Sequence, residues 1–242
     1  MTVGVLCVHG LGGTPHSVLP LTAAVHEAGY PVIALMLPGH GSAPVDLLDH
    51  TWIDWRDAVA GAVDSLAARA DVNGVVVVGQ SLGATIALAV AATNPHVRGV
   101  AAINALVHEA DPDATEFLEH LISRGRVMQP AGDVDLRDPH AHDSAYAEVP
   151  LRSLLELGAA ATAVNALLAS ITVPVLVVSS DLDRVVDPDN SETLAAGVRG
   201  PVTRLYLANS GHVAALDLDR ELLCHELLTW LATLTDESAA SA

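Results

Sequence analysis

Three residues far apart in the chain have the types and settings that nucleophilic catalysis needs. The first is Ser81, centred in Gly79-Gln80-Ser81-Leu82-Gly83. A serine hydroxyl attacks poorly unless it is held where a base can take its proton. Four valines, Val75 to Val78, precede the motif as a strand signal, and the apolar stretch Leu82–Thr93 follows as a helix. A sharp strand-to-helix turn there lifts the hydroxyl above the sheet edge, and Gly79 and Gly83 leave room for the close approach this requires. Of the twelve histidines, His212 alone follows a strand and a Ser210-Gly211 turn near the end of the chain. That is where a general base belongs when the order is serine, acid, histidine. The loop after Val173–Ser180 offers Asp181, Asp183 and Asp187 as the acid. Asp183 lies 29 residues before His212, room for one helix and one strand; Asp181 is the alternative. A tetrahedral intermediate also needs amide donors. The N–H of Leu82 is one, and Leu11, in His9-Gly10-Leu11-Gly12-Gly13, is the second.

The other histidines suggest less. His9 and His40 sit in strand-end turns and read as hydrogen-bonded structural residues. His140, His142 and Asp143 show no third ligand, so a solvated loop is expected rather than a metal site. No cofactor and no metal is implied.

The elements that must hold these residues alternate. Strands are expected at Thr2–Val8, Pro31–Met36, Gly74–Gly79, Val97–Asn104, Val173–Ser180 and Val202–Ala208. Helices are expected at Pro15–Ala28, Thr51–Ala70, Leu82–Thr93, Asp189–Val198 and Val213–Leu234. Uniformly apolar strands that alternate with helices imply an α/β fold, a mostly parallel sheet of about six strands with helices on both faces. Ligands then bind beyond the carboxyl ends of the strands. The alternation lapses between about 108 and 170, where helical pieces Ala114–Ser123 and Leu151–Ala169 flank the Pro- and Asp-rich stretch Gln129–Pro150. The expected organisation is a core of 1–107 and 171–235, a small cap at 108–170, and a flexible tail at 236–242. The cap as a whole is expected to set substrate choice and add little to the chemistry, with its middle, Gln129–Pro150, a mobile loop and Leu151–Ala169 an apolar cover for the pocket.

Composition narrows the partners. Eleven basic residues, all Arg, against 29 acidic ones give a net charge of −18. Such a surface repels phosphate backbones, and only seven aromatics occur, so nucleic acid is not an expected partner. Leu82–Ala92, the expected candidate for a membrane span, is too short to cross a bilayer, so no stable membrane insertion is expected. Cys7 and Cys224 lie far apart, as reduced thiols in a cytoplasmic protein would. Nothing in the sequence fixes an oligomeric state.

The segments LCVHGLGGTPHS, LPGHG, VVVVGQSLGA, VPVLVVSSDLDRVVDP and LANSGHV together carry a resemblance. The chain resembles the small bacterial carboxylesterase and monoacylglycerol lipase family of α/β-hydrolases along nearly its whole length. The resemblance implies Ser81, Asp183 and His212 as a triad, Leu11 and Leu82 as oxyanion donors, and cap residues such as Leu154 and Leu157 as pocket lining. It departs in having Leu11 where an aromatic residue often stands, and Ser180 where glycine is frequent. The expected substrate is a small neutral ester with a short to medium acyl chain, hydrolysed through an acyl-enzyme. Monoacylglycerol, thioester or carbon–carbon hydrolysis on the same triad, or a receptor-like module with slow turnover, are the rival readings.

Overall fold

The computed structural model describes residues 2–240, with side chains for 2–234. Strands β1 (Thr2–Val8), β2 (Val32–Leu35), β3 (Val72–Gln80), β4 (Val97–Ile103), β7 (Val175–Ser180) and β8 (Val202–Leu207) form one sheet in the order β2-β1-β3-β4-β7-β8. A separate short hairpin holds β5 (Met128–Pro130) and β6 (Glu148–Pro150). Every pairing in the large sheet is parallel, so its six strands match the expected architecture. The helices are α1 (Leu19–Glu27), α2 (Trp52–Ala67), α3 (Leu82–Ala91), α4 (Pro112–Ser123), α5 (Leu151–Leu167), α6 (Asp189–Gly197) and α7 (Arg220–Ala240).

The valine run of β3 explains why the sheet is covered on both faces. Side chains alternate across a strand. Val75 and Val77 enter a core with Trp55, Val59 and Val63 of α2 and most of α3. Val76 and Val78 enter a second core with Leu21 and Val25 of α1 and Leu223, Leu227 and Trp230 of α7. A strand buried on both faces needs no polar alternation, and its sequence shows none.

Several boundaries differ from expectation. The stretch expected as one helix over Pro15–Ala28 is a 3₁₀ turn, Pro15–Val18, followed by α1. The helix expected to begin at Val213 begins at Arg220, after a 3₁₀ turn at Ala214–Leu216 and a buried Asp219 that accepts the Asn209 N–H and the Ser210 hydroxyl. The expected tail at 236–242 lies outside the residues whose side chains are described; backbone to Ala240 continues α7. Among the described residues, Leu151–Ser170, not Leu82–Ala92, is the segment long and apolar enough by composition to span a bilayer. In the fold its Ala160 and Val164 pack into the first core, and the Glu156 carboxylate accepts the Trp52 N–H at the start of α2.

Candidate active site

Ser81 stands between β3 and α3 with φ 55° and ψ −122°, a conformation L-residues avoid. Strain of this kind persists only where the surroundings over-determine it. Here the Ser81 N–H donates to the Ile103 carbonyl at 2.9 Å, and the Ser81 carbonyl accepts from the N–H groups of Ala84 and Thr85 at 2.9 and 3.0 Å. Glycine is required on both sides. A β-carbon at Gly79 would lie 2.4 Å from the Ala84 nitrogen, and one at Gly83 would lie 2.3 Å from the Val8 carbonyl oxygen. Neither neighbour is a side chain that could move aside.

The loop after β1 crosses directly against this turn. A β-carbon at Gly10 would stand 3.2 Å from the Ser81 β-carbon. Among the described residues, neither the Leu11 nor the Leu82 N–H has a hydrogen-bond acceptor within the protein. His9 is buried, its Nδ1 donating to the Gly10 carbonyl at 2.8 Å while its Nε2 accepts the Leu37 N–H at 3.1 Å. That pattern needs a neutral ring, and burial pushes the His9 pKa down to about 4. His40 is also lowered by burial and packs edge-on against His9.

His212 and Asp183 meet as a buried pair. The imidazole Nδ1 lies 2.8 Å from Asp183 Oδ2, and the carboxylate is only 2% exposed. Asp183 Oδ1 accepts the N–H groups of Val185 and Val186 at 2.8 and 2.9 Å, which fixes the carboxylate's orientation. Asp181, the alternative acid, is exposed. The His212 backbone is held from both ends. Its carbonyl accepts Gln80 Nε2 at 2.7 Å and Asn104 Nδ2 at 2.8 Å, and its N–H donates to Asp135 Oδ2 at 3.0 Å. Ser180 has a partner in the same network, since its hydroxyl takes a bond from Asn104 Nδ2 at 3.0 Å. A glycine there would leave that amide hydrogen without its acceptor.

Ser81 and His212 open into one cavity of about 230 Å³. Leu11, Tyr146, Val149, Leu154, Leu157 and Val185 line it with apolar surface. Asp143 faces the same space, with its side chain 4% exposed and 3.5 Å from His16 Nδ1, so the solvated loop expected around His142 and Asp143 is partly buried. A cavity with a mostly apolar lining and polar groups among it suits a small and largely apolar ligand.

The family model described as "Serine aminopeptidase, S33" matches residues 3–217. The chain belongs to this family of α/β-hydrolases. It is 34% identical to the thermostable monoacylglycerol lipase of Bacillus sp. (strain H-257) over 233 residues, 95% of this chain and 90% of the relative. It is 23% identical to a carboxylesterase of Bacillus subtilis (strain 168) over 231 residues, 95% of this chain and 92% of that protein. Among solved structures, one described as "LipS and LipT, two metagenome-derived lipolytic enzymes" superposes with a TM-score of 0.89, at 28% identity, covering 96% of this chain and 94% of that one.

Within this α/β-hydrolase the sequence reading missed several residues that shape the site. Gln80 and Asn104 clamp the His212 carbonyl, but a lone amide side chain carries no pattern that announces such a role. Tyr146 donates through its hydroxyl to the Gly39 carbonyl at 3.2 Å, and its N–H bonds the Gly12 carbonyl at 2.8 Å. The stretch Gln129–Pro150, expected as a mobile loop, begins and ends in the β5–β6 hairpin and is tied to both the His212 and Asp183 loops.

Proposed function

We propose that the protein is a serine carboxylesterase that hydrolyses neutral short- to medium-chain carboxylic esters through an acyl-enzyme on Ser81. The observation that carries this is the strained Ser81, opening with His212 onto an apolar cavity while His212 is hydrogen-bonded to a buried Asp183. The protein is an enzyme, a serine hydrolase acting on ester bonds. His212 Nε2 takes the Ser81 proton as Oγ attacks the ester carbonyl carbon. The resulting oxyanion is stabilised by the N–H groups of Leu11 and Leu82. As the tetrahedral species collapses, the C–O bond to the alcohol breaks and His212 returns the proton to the departing alkoxide. Water then repeats the sequence on the acyl-enzyme, with His212 again as base, and releases the carboxylic acid. Asp183 holds the Nδ1–H tautomer, so Nε2 is the free acceptor. The segment 108–170 acts as the cap, with Leu154 and Leu157 bounding the acyl site.

Monoacylglycerol is the second reading of the alcohol part, favoured by the likeness to the Bacillus sp. lipase. The test is steady-state hydrolysis of p-nitrophenyl acetate through decanoate, beside 1-monoacylglycerols of matched chain length. Ser81→Ala is expected to lower kcat by roughly a millionfold, since the members of such a triad act as a unit. A Ser81→Ala variant that keeps a few per cent of the activity refutes the nucleophile.

A further inference from the structure

We propose that Asp135, held by Arg137, is a positioning residue that sets His212 against Asp183, so that the cap segment contributes to the chemical step itself. The inference rests on the triad reading above. Asp135 lies between the strands of the β5–β6 hairpin, distant in sequence from both triad loops, yet its side chain is 8% exposed. One oxygen, Oδ2, accepts the His212 N–H at 3.0 Å and the Arg184 N–H at 2.9 Å. A single carboxylate atom therefore bonds the backbone of the base and the residue that follows the acid.

Arg137 completes the grip from the other side of Asp183. Its Nη2 reaches Asp135 Oδ1 at 2.5 Å and the Leu182 carbonyl at 2.7 Å. The residues before and after Asp183 are thus both held by one ion pair, and the same pair holds His212. The hairpin itself is anchored. Buried Asp217 accepts the N–H groups of Arg137 at 2.9 Å, Asp138 at 2.7 Å and Gly211 at 2.7 Å, tying the cap backbone to the residue preceding His212. The Asp135 carbonyl also takes the Val213 N–H at 3.3 Å.

This arrangement fixes the spacing of two loops that otherwise belong to different strand ends. Besides the His212–Asp183 bond itself and the Asn104 amide that spans Ser180 and the His212 carbonyl, the ion pair bridges the two loops on either side of Asp183. Charge-assisted bonds to main-chain N–H groups are stronger and shorter than neutral ones, so they hold position as well as contribute stability. Base and acid must keep hydrogen-bond geometry as charge develops on the imidazole, and a misplacement of about 1 Å costs on the order of 10²-fold in rate.

The test uses the whole protein and a cycle of Asp135→Asn, Asp183→Asn and the double variant, with melting temperature measured for each. Asp135→Asn is expected to lower kcat for p-nitrophenyl butyrate on the order of 10²-fold with KM little changed. In the Asp183→Asn background the same change is expected to cost little more, because the interaction it supports is already lost. The low-field proton resonance of the His212 Nδ1–H should move in Asp135→Asn. Should that variant fold poorly, Arg137→Gln, which leaves the carboxylate and removes its partner, is read by the same three measurements. An unchanged kcat, or equal losses in both backgrounds with a static resonance, overturns the proposal. An active Ser81→Ala sinks the triad reading instead, so the two failures are distinguishable.

Discussion

Replacing Asp183 by asparagine isolates what the acid does, because the structure sets the orientation of the new amide. Oδ1 of Asp183 accepts two main-chain N–H groups, from Val185 and Val186, and Oδ2 faces His212 Nδ1 at 2.8 Å. The asparagine oxygen will take the place of Oδ1, since both amides need an acceptor. Its NH₂ then points at Nδ1, which must accept, leaving the histidine proton on Nε2. That tautomer cannot receive the Ser81 proton. Flipping the amide restores the productive tautomer but strands two main-chain donors, at roughly 1–3 kcal/mol each. The productive arrangement therefore lies roughly 2–6 kcal/mol higher, which corresponds to about 30-fold to 10⁴-fold in kcat. The upper end agrees with the loss of about 10⁴ seen when the same exchange is made in a serine protease. The assay is kcat on p-nitrophenyl butyrate beside the melting temperature, with the exposed Asp181→Asn as control. A loss below tenfold, or an equal loss in Asp181→Asn, would refute the tautomer argument.

Acid should destabilise the fold through His9. Its folded pKa, about 4, lies below the ordinary 6.5, so the unfolded chain binds the extra proton first. Stability is then full above pH 6.5, falls between 6.5 and 4, and loses about 3 kcal/mol in all from this group. Urea unfolding across that range should show the slope, and His9→Gln should flatten it; an identical slope in the variant would refute the assignment. In the cap, Leu154→Trp is expected to shift preference toward shorter acyl chains while acetate hydrolysis is nearly unchanged. A chain-length profile identical to the parent's, with stability lowered by the roughly 1–3 kcal/mol of overpacking, would make Leu154 a core residue instead.

The sequence alone determined the features that depend on neighbours along the chain. The valine run and the helix that follows it place Ser81 in a strand-to-helix turn, because side-chain periodicity and glycine spacing are local properties. The parallel sheet follows from the same alternation, and chain order points to His212 and to the Asp181–Asp183 loop. The sequence prefers Asp183 to Asp181 by its spacing from His212. That Asp183 lies 2.8 Å from the His212 imidazole while Asp181 is exposed, a distinction that two acids in one loop do not show in their sequence, comes from the tertiary structure. The roles of Gln80, Asn104 and Asp135 also appear only there: each bonds main-chain groups of His212, and a main-chain group leaves no mark in a sequence pattern. Gln129–Pro150 shows the physical reason most directly. Its lack of apolar periodicity suggests mobility, because periodicity registers only contacts made through hydrophobic faces. What holds this stretch is a hairpin and two buried carboxylates: Asp135, whose partners Arg184 and His212 lie 49 and 77 positions later, and Asp217, which lies 80 positions beyond the Arg137 N–H it accepts.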